Sequence, residues 1–514
     1  MSRPIVAAES MVQKAETASK PPLDWSVLAV LLGARILLYL LLGGRYGFHQ
    51  DEMYFIDCGH HLAFGYVDHP PLVPWLARVA TALFGDSLYG LRFFPMLSGA
   101  GTIALAALLA RAWGGGRYAQ FLAGLCMLLA PAYLFMGNML NIPVFEQFIW
   151  TLSAYLLVRA IQQEEPRWWL AVGVVAGIGL LNKHTMALWG LGIGIGVLLT
   201  PLRRDLRTPW PWVGAAIAAV ILFPNLVWLY RHEWPTLEFI RNLAGISRAL
   251  FLAGQLLFMG PLFSLVWIAG LVFLFTQPER RYRAFAWLFI TVLLFFLWRR
   301  GQPYYLASTY PVLFAAGAVW WERWSARRTS PWPGRAMLTA VVAGGLVFLP
   351  LGAPVLPLQT TDRIADRLFG DILPPRQLLI DTHFQVGWPD HVETFAGIFH
   401  ALPEEERAHT GILTLDHGIT SAINFYGPAH GLPRAWSGSM THYLWGPPPD
   451  TTTVYLVSLF DEDRLRHYFG DVRQAGELHH PLAADIYRHR PVYVCREPFQ
   501  PLSQVWSDFK RFHH

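Results

Sequence analysis

Charge is scarce in this sequence. Asp, Glu, Lys and Arg make up 15% of its 514 residues, where a soluble domain carries about a quarter. Cysteine is scarcer still, with Cys58, Cys126 and Cys495 alone. None forms a CxxC pair, which excludes a zinc ribbon or a dithiol redox motif. Cys58 and Cys495 leave room for one disulfide if both face an oxidising compartment. Residues 1–24 mix charges (Arg3, Glu9, Lys14, Glu16, Lys20) and lack an apolar core with a small-residue cleavage site. They read as a cytoplasmic N-terminal segment rather than a cleavable signal peptide. Gly114-Gly115-Gly116 has no strand–helix setting, so no nucleotide cofactor is expected. The net charge of +5 is spread along the chain. That excludes the concentrated basic patch of a nucleic-acid binder.

What fills the sequence is apolar: 54% hydrophobic residues, with 22 Trp, 19 Tyr and 33 Phe. Tryptophan and tyrosine favour the water–lipid interface. About eleven stretches reach or approach the ~20 apolar residues that cross a bilayer. They lie near 25–44, 89–111, 118–137, 142–160, 168–182, 185–201, 211–230, 249–276, 282–298, 304–321 and 335–356. The fold class expected is a polytopic α-helical membrane protein over 25–356, followed by a soluble α/β domain over 357–514.

Arginine orients the chain. With the N-terminus inside, the cytoplasmic turns hold Arg111 and Arg117, Arg159 and Arg167, and Arg203, Arg204 and Arg207. Arg280, Arg281 and Arg283 follow, then Arg323, Arg327, Arg328 and Arg335. The opposite loops hold fewer, as the positive-inside rule requires. An odd number of spans places the C-terminal domain outside the cell's inner membrane. That domain holds 13 of the 19 histidines, read as solvated surface residues with only His479-His480 adjacent. Strands are expected at Gln377–Ile380, Gly411–Leu415, Thr453–Ser458 and Val492–Cys495, and helices at 390–401 and 461–469. Its aromatic and prolyl turns (Trp388, Phe425, Tyr426, Trp436, Tyr443, Trp445) fit either a core or an acceptor surface.

The loop 46–88 carries the densest chemistry. His49, Asp51, Glu52, Asp57 and His60 precede Asp68-His69-Pro70-Pro71-Leu72. Its periodicity predicts two interfacial helices, 50–64 and 72–84. A carboxylate at that boundary meets water and low dielectric together, which favours a general base. Asp51 and Glu52 also suit a helix start. Pro70-Pro71 stiffens the turn that carries Asp68 and His69. Asn141 and Glu146 flank Pro143 at a helix start. Lys183 is costly at membrane depth. It reads either as a phosphate ligand or as a snorkelling side chain. Arg299, Arg300, Tyr304 and Tyr305 form a cation-and-hydroxyl group that suits a phosphate or sugar, or else an interfacial belt.

Together these features resemble the family 39, dolichyl-phosphate-mannose–protein mannosyltransferase-like group of GT-C glycosyltransferases. The group includes the bacterial lipid A aminoarabinose transferases and the Rgt-type galacturonic acid transferases. The resemblance covers about residues 25–320. It rests on Asp51-Glu52 in the first outer loop and on His69-Pro70-Pro71-Leu72-Val73-Pro74-Trp75, with weaker matches at Asn141-Ile142-Pro143, Asn182-Lys183 and Tyr304–Pro311. It implies Asp51 as catalytic base, with Glu52 beside it, and Lys183 on the carrier phosphate. Asp68 stands in the place of a metal ligand, implying a divalent metal ion. His69 stands where relatives carry lysine, and Asn141 where many carry aspartate. The implied donor is a polyprenyl-phosphate-linked sugar. The acceptor is a lipid, glycan or protein hydroxyl, and membrane lipids surround the enzyme. A transporter or flippase of lipid-linked sugars, or an inactive membrane scaffold, is the alternative. The transporter would show discontinuous helices in paired repeats, and no repeat is found.

Overall fold

The computed structural model describes residues 21–370 and 375–512. Residues 1–20, most of the expected N-terminal segment, lie outside the described residues. Every expected span coincides with a helix or a broken helix, but not all are long. Six helices are long and apolar enough to cross a membrane: Trp25–Leu42, Leu88–Ala112, Ile142–Gln163, Trp210–Arg231, Arg280–Arg299 and Trp332–Gly352. Two bent pairs raise the number to eight, one turning by 104° after Leu198 and one by 90° at Gly260. Arg117–Leu129 and Trp168–Asn182 are shorter. The expectation of about eleven spans therefore resolves into six to eight by length and composition. The difference comes from Pro131, Pro201 and Pro261, which open new helical segments where the apolar pattern runs on. Residues 303–309 form a 3₁₀ turn, so the helix expected from 304 starts at Tyr310.

Hydrocarbon supplies no hydrophobic drive between helices, so close packing must bind them. Gly270 and Gly317 show how. A Cβ on either would overlap the backbone of the other's helix, at Leu313 or Val266. The Arg-rich turns meet at one end of the bundle. There Arg111 Nε donates to Pro21 O at 2.9 Å, Arg323 Nη2 donates to Trp113 O at 2.7 Å, and Arg281 pairs with Glu164 at 3.6 Å.

At the other end lie the interfacial helices Gln50–His60 and Leu72–Phe84. The soluble domain packs on them. Its sheet runs β2-β1-β3-β5-β4, with β1 Thr410–Thr414, β2 Ala435–Ser437, β3 Val454–Ser458, β4 Phe469–Leu478 and β5 Arg490–Pro498. β1 pairs in parallel with β2 and β3, and β5 is antiparallel to both its neighbours. The strand expected at Gln377–Ile380 is instead two helical turns, Pro375–Leu378 and Ile380–His383. The helix expected at 461–469 is confined to Glu462–Leu465, because β4 begins at Phe469. The three cysteines are free and buried. Cys58 and Cys495 belong to separate apolar clusters, so the disulfide does not form.

The interface between the two parts is polar and buried. Asp57 is 6% exposed and takes His442 Nε2 at 2.9 Å and Asn424 Nδ2 at 2.8 Å. Burial opposes its charge, but the bonds from His442 and Asn424 outweigh it and lower the Asp57 pKa. Such a pair adds specificity of docking more than net stability.

Candidate functional site

The helix Gln50–His60 begins with a reciprocal cap. His49 Nδ1 accepts the Asp51 N–H at 3.1 Å, and Glu52 accepts the His49 N–H at 2.9 Å. This fixes two adjacent carboxylates on opposite sides of the first turn.

Glu52 turns inward and is 0% exposed. It takes Arg92 Nε at 2.9 Å, Arg92 Nη2 at 2.7 Å and the Leu140 N–H at 2.8 Å. Arg92 spends other N–H groups on the carbonyls of Gly43 at 2.9 Å and Gly47 at 2.7 Å. The carboxylate's lone pairs are occupied, so Glu52 welds the first loop to the helix Leu88–Ala112 and to the turn before Ile142. The geometry assigns it to positioning rather than to proton transfer.

Asp51 faces a crevice between the interfacial helix and the soluble domain, with its side chain 42% exposed. Across from it stands His417, whose Nε2 is 3.4 Å from Asp51 Oδ1 and whose Nδ1 is 3.5 Å from Asp416 Oδ2. Burial would drive His417 neutral, yet Asp416, Asp51 and Asp68 hold its pKa up at about 9. Asp416 and His417 sit just beyond the carboxyl end of β1, where the chain leaves for β2 on one side while β3 lies on the other. That switch point is where open α/β sheets bind ligands. Tyr487 closes the wall, bonded to Asp416 and lying 3.0 Å from Gln50 Oε1. Asp381 adds a second crevice carboxylate, 3.9 Å from His49 Nε2. Desolvation and the nearby Asp51 raise its pKa, against the pull of His49.

A second charged group is Lys183. Its Nζ lies 3.3 Å from Glu146 Oε2 and sits over the Tyr305 ring at 4.7 Å and the Tyr304 ring at 5.8 Å. Thr185 bonds the other oxygen of Glu146. Tyr304 joins the two halves. Burial and Tyr305 raise its hydroxyl pKa, and so do the Asp381 and Asp51 carboxylates. The site thus offers an accessible carboxylate facing a buried imidazolium of the soluble domain, and an ammonium framed by two phenols, of which Tyr304 feels the charge of Asp51 and Asp381.

Known proteins are similar to this chain in sequence and in fold. The family model described as dolichyl-phosphate-mannose-protein mannosyltransferase matches residues 68–228. The lipid A galacturonosyltransferase RgtD of Rhizobium johnstonii is 23% identical over 57% of this chain and 65% of its own length. An undecaprenyl phosphate-alpha-4-amino-4-deoxy-L-arabinose arabinosyl transferase of Pseudomonas fluorescens is 27% identical over 57% of this chain and 56% of its own. The matched stretches thus span less than two thirds of these relatives. The crystal structure of ArnT from Cupriavidus metallidurans bound to undecaprenyl phosphate superposes with TM-score 0.59 at 16% identity, covering 91% of this chain and 97% of that one. Its apo form gives 0.57 at 17% identity over the same shares, 91% and 97%. Residues 68–228 thus match the mannosyltransferase family model, and the chain shares the fold of the ArnT crystal structures.

The remaining expected residues divide. Asn141 is a helix cap. Its Oδ1 accepts the Val144 N–H at 2.9 Å and its Nδ2 donates to Met136 O at 2.7 Å. An aspartate could keep the first bond but not the second. His69 is 1% exposed and packed among Tyr54, Phe55 and Tyr66, with ring centroids 5.7, 5.1 and 4.9 Å away. It does not replace a lysine's reach. Arg299 and Arg300 are exposed at the end of their helix, and neither makes an ion pair among the described residues. Of the three, Lys183 alone sits over the Tyr304 and Tyr305 rings. Asp68 accepts from the Tyr54 hydroxyl at 2.8 Å and lies 3.8 Å from His69 Nε2. Among the described residues it belongs to no group of three converging metal donors.

Sequence reading missed His417, Asp416, Asp381 and Tyr487. The histidines read as surface residues include His383, His391, His417 and His442, which are 1%, 0%, 2% and 3% exposed. The available signal was Asp416 before a helical run, at the end of an apolar strand.

Proposed function

We propose that this chain transfers a sugar, with inversion, from a polyprenyl-phosphate donor to an acceptor hydroxyl on the extracytoplasmic face of the inner membrane. The observation that carries the reading is the half-exposed Asp51 carboxylate facing His417, with the Lys183 ammonium over Tyr304, a phenol that feels the Asp51 charge. The acceptor O–H gives its proton to Asp51 as its oxygen attacks the anomeric carbon. The bond from that carbon to the phosphate oxygen breaks, and its electron pair leaves with the polyprenyl phosphate. Lys183 offsets the charge that develops there, with the Tyr304 and Tyr305 hydroxyls at hand. His417, from the soluble domain, orients Asp51. A positioned base of this kind contributes about 10²–10⁴ in rate.

The name of RgtD supports a lipid acceptor, and those of the arabinosyl transferase and the ArnT complex support an undecaprenyl-phosphate carrier. The two bent helix pairs contribute none of the crevice's ionisable residues. They therefore lend no support to a transporter built on discontinuous helices.

Radiolabelled polyprenyl-phosphate sugars, offered to membranes containing the wild-type chain or Asp51→Asn, test the proposal. Transfer in wild type that falls at least about a hundredfold in the folded variant is expected. Unchanged transfer in Asp51→Asn removes it as base, and no transfer from any donor in wild type overturns the function.

A further inference from the structure

The loop between β4 and β5 is closed at its neck by three side chains that the proposed transfer does not use. Glu477 is the second-last residue of β4, His479 follows the strand, and His489 precedes β5. The antiparallel register sets Glu477 opposite Pro491 and Leu478 opposite Arg490. The ladder therefore brings positions 479 and 489 face to face. His489 Nδ1 lies 2.6 Å from Glu477 Oε1, and the rings of His479 and His489 are 4.4 Å apart. One donor atom from each of the three residues lies within 4.8 Å of the other two. His489 holds its place with φ at +53°, a backbone region that non-glycine residues seldom occupy.

Two imidazoles and a carboxylate are borderline ligands, suited to zinc, copper or nickel rather than to calcium or magnesium. All three side chains are exposed, so an ion enters without any opening of the fold.

We infer that Glu477, His479 and His489 form a binding site for a divalent transition-metal ion of the zinc class. The ion replaces the hydrogen bond between His489 and Glu477, whose proton passes to water. Water fills the open coordination position on the solvent side. The site is separate from Asp68 and from the Asp51 crevice, yet it reaches the crevice through the chain. The loop it closes carries Tyr487, whose hydroxyl meets Gln50 and Asp416. Arg376 holds the loop's other face, donating to Pro481 O at 2.8 Å and to Ala483 O at 3.1 Å. His383 Nδ1 lies 2.7 Å from Leu482 O. Metal at the neck therefore clamps a loop that braces the wall beside Asp51.

The test uses the full chain, purified in detergent through a histidine-free tag and stripped with a chelator. Copper(II) is followed by electron paramagnetic resonance, and zinc(II) by competition. One ion per chain is expected, with a nitrogen pattern from two imidazoles. Binding should weaken at least about tenfold in His479→Ala/His489→Ala, weaken in Glu477→Gln, and persist in the surface control His467→Ala. No saturable binding in wild type, or equal binding by the double variant with an unchanged melting profile, overturns the site. Hydrogen exchange at 479–489 should slow with zinc in wild type alone. Exchange that zinc leaves unaltered overturns the clamp.

Discussion

His417 Nε2 lies 3.4 Å from Asp51 Oδ1, although 366 positions separate the two residues in sequence. The contact joins the soluble domain to the first loop of the membrane domain, at the half-exposed carboxylate in the first turn of the interfacial helix. Docking of the soluble domain and readiness of the site are therefore one event.

A pH dependence follows with a definite sign. His417 is held up at about 9 from an ordinary 6.5, against burial, by Asp416, Asp51 and Asp68. A raised folded-state pKa gives stability that is complete below about pH 6.5 and lost as the pH rises through about 9. The stake is on the order of 3 kcal/mol. The thermal midpoint of the wild-type chain should fall between pH 7 and pH 9.5 more steeply than that of His417→Gln. Parallel curves would separate the histidine from docking.

Glu52 and Asp51 should part company under mutation. Glu52→Ala leaves Arg92 buried without its counter-charge, and breaking such a pair costs about 3–5 kcal/mol. The expected result is a chain that melts earlier and is recovered in lower yield. The fraction that remains folded should keep more activity than Asp51→Asn, which should fold normally and fail in transfer. Activity per folded molecule, read beside a melting curve, checks both. A stable but inactive Glu52→Gln would return Glu52 to the chemistry.

The sequence announced the membrane body and one half of the site. Apolar runs and arginine-rich turns located each helical segment, because bilayer thickness and the cost of buried charge act on composition alone. The helix breaks at Pro131 and Gly260 escaped, since apolar content continues through both. Asp51 and Lys183 were legible because a carboxylate and an ammonium stand out in apolar surroundings. Glu52 looked like Asp51's equal until Arg92 appeared from a different span. His417 looked like any histidine of a polar domain. Its meaning comes from the pairing of β1 with β2 and β3 and from the docking face, which only long-range contacts define. The same holds for Asn141, whose cap bonds come from residues just before it in a turn that composition does not describe.

Lys183 has two jobs to separate. It pairs with Glu146, which is 5% exposed, so Lys183→Ala strands a buried carboxylate and lowers stability whether or not the lysine meets the donor. The double variant Lys183→Ala/Glu146→Gln removes that penalty. If the ammonium offsets charge on the departing phosphate, the double variant should fold like wild type and still lose about 10²–10³ in kcat, the usual cost of deleting one charge-stabilising donor. Lys183→Arg should recover part of the rate, because a guanidinium keeps the charge and stacks on Tyr305 but fits a compact ammonium site poorly. Steady-state transfer with varied donor gives the split. A fall in kcat locates the interaction in the transition state, whereas a rise in KM alone reduces Lys183 to a docking contact. Full activity in the double variant would confine the lysine to holding Glu146.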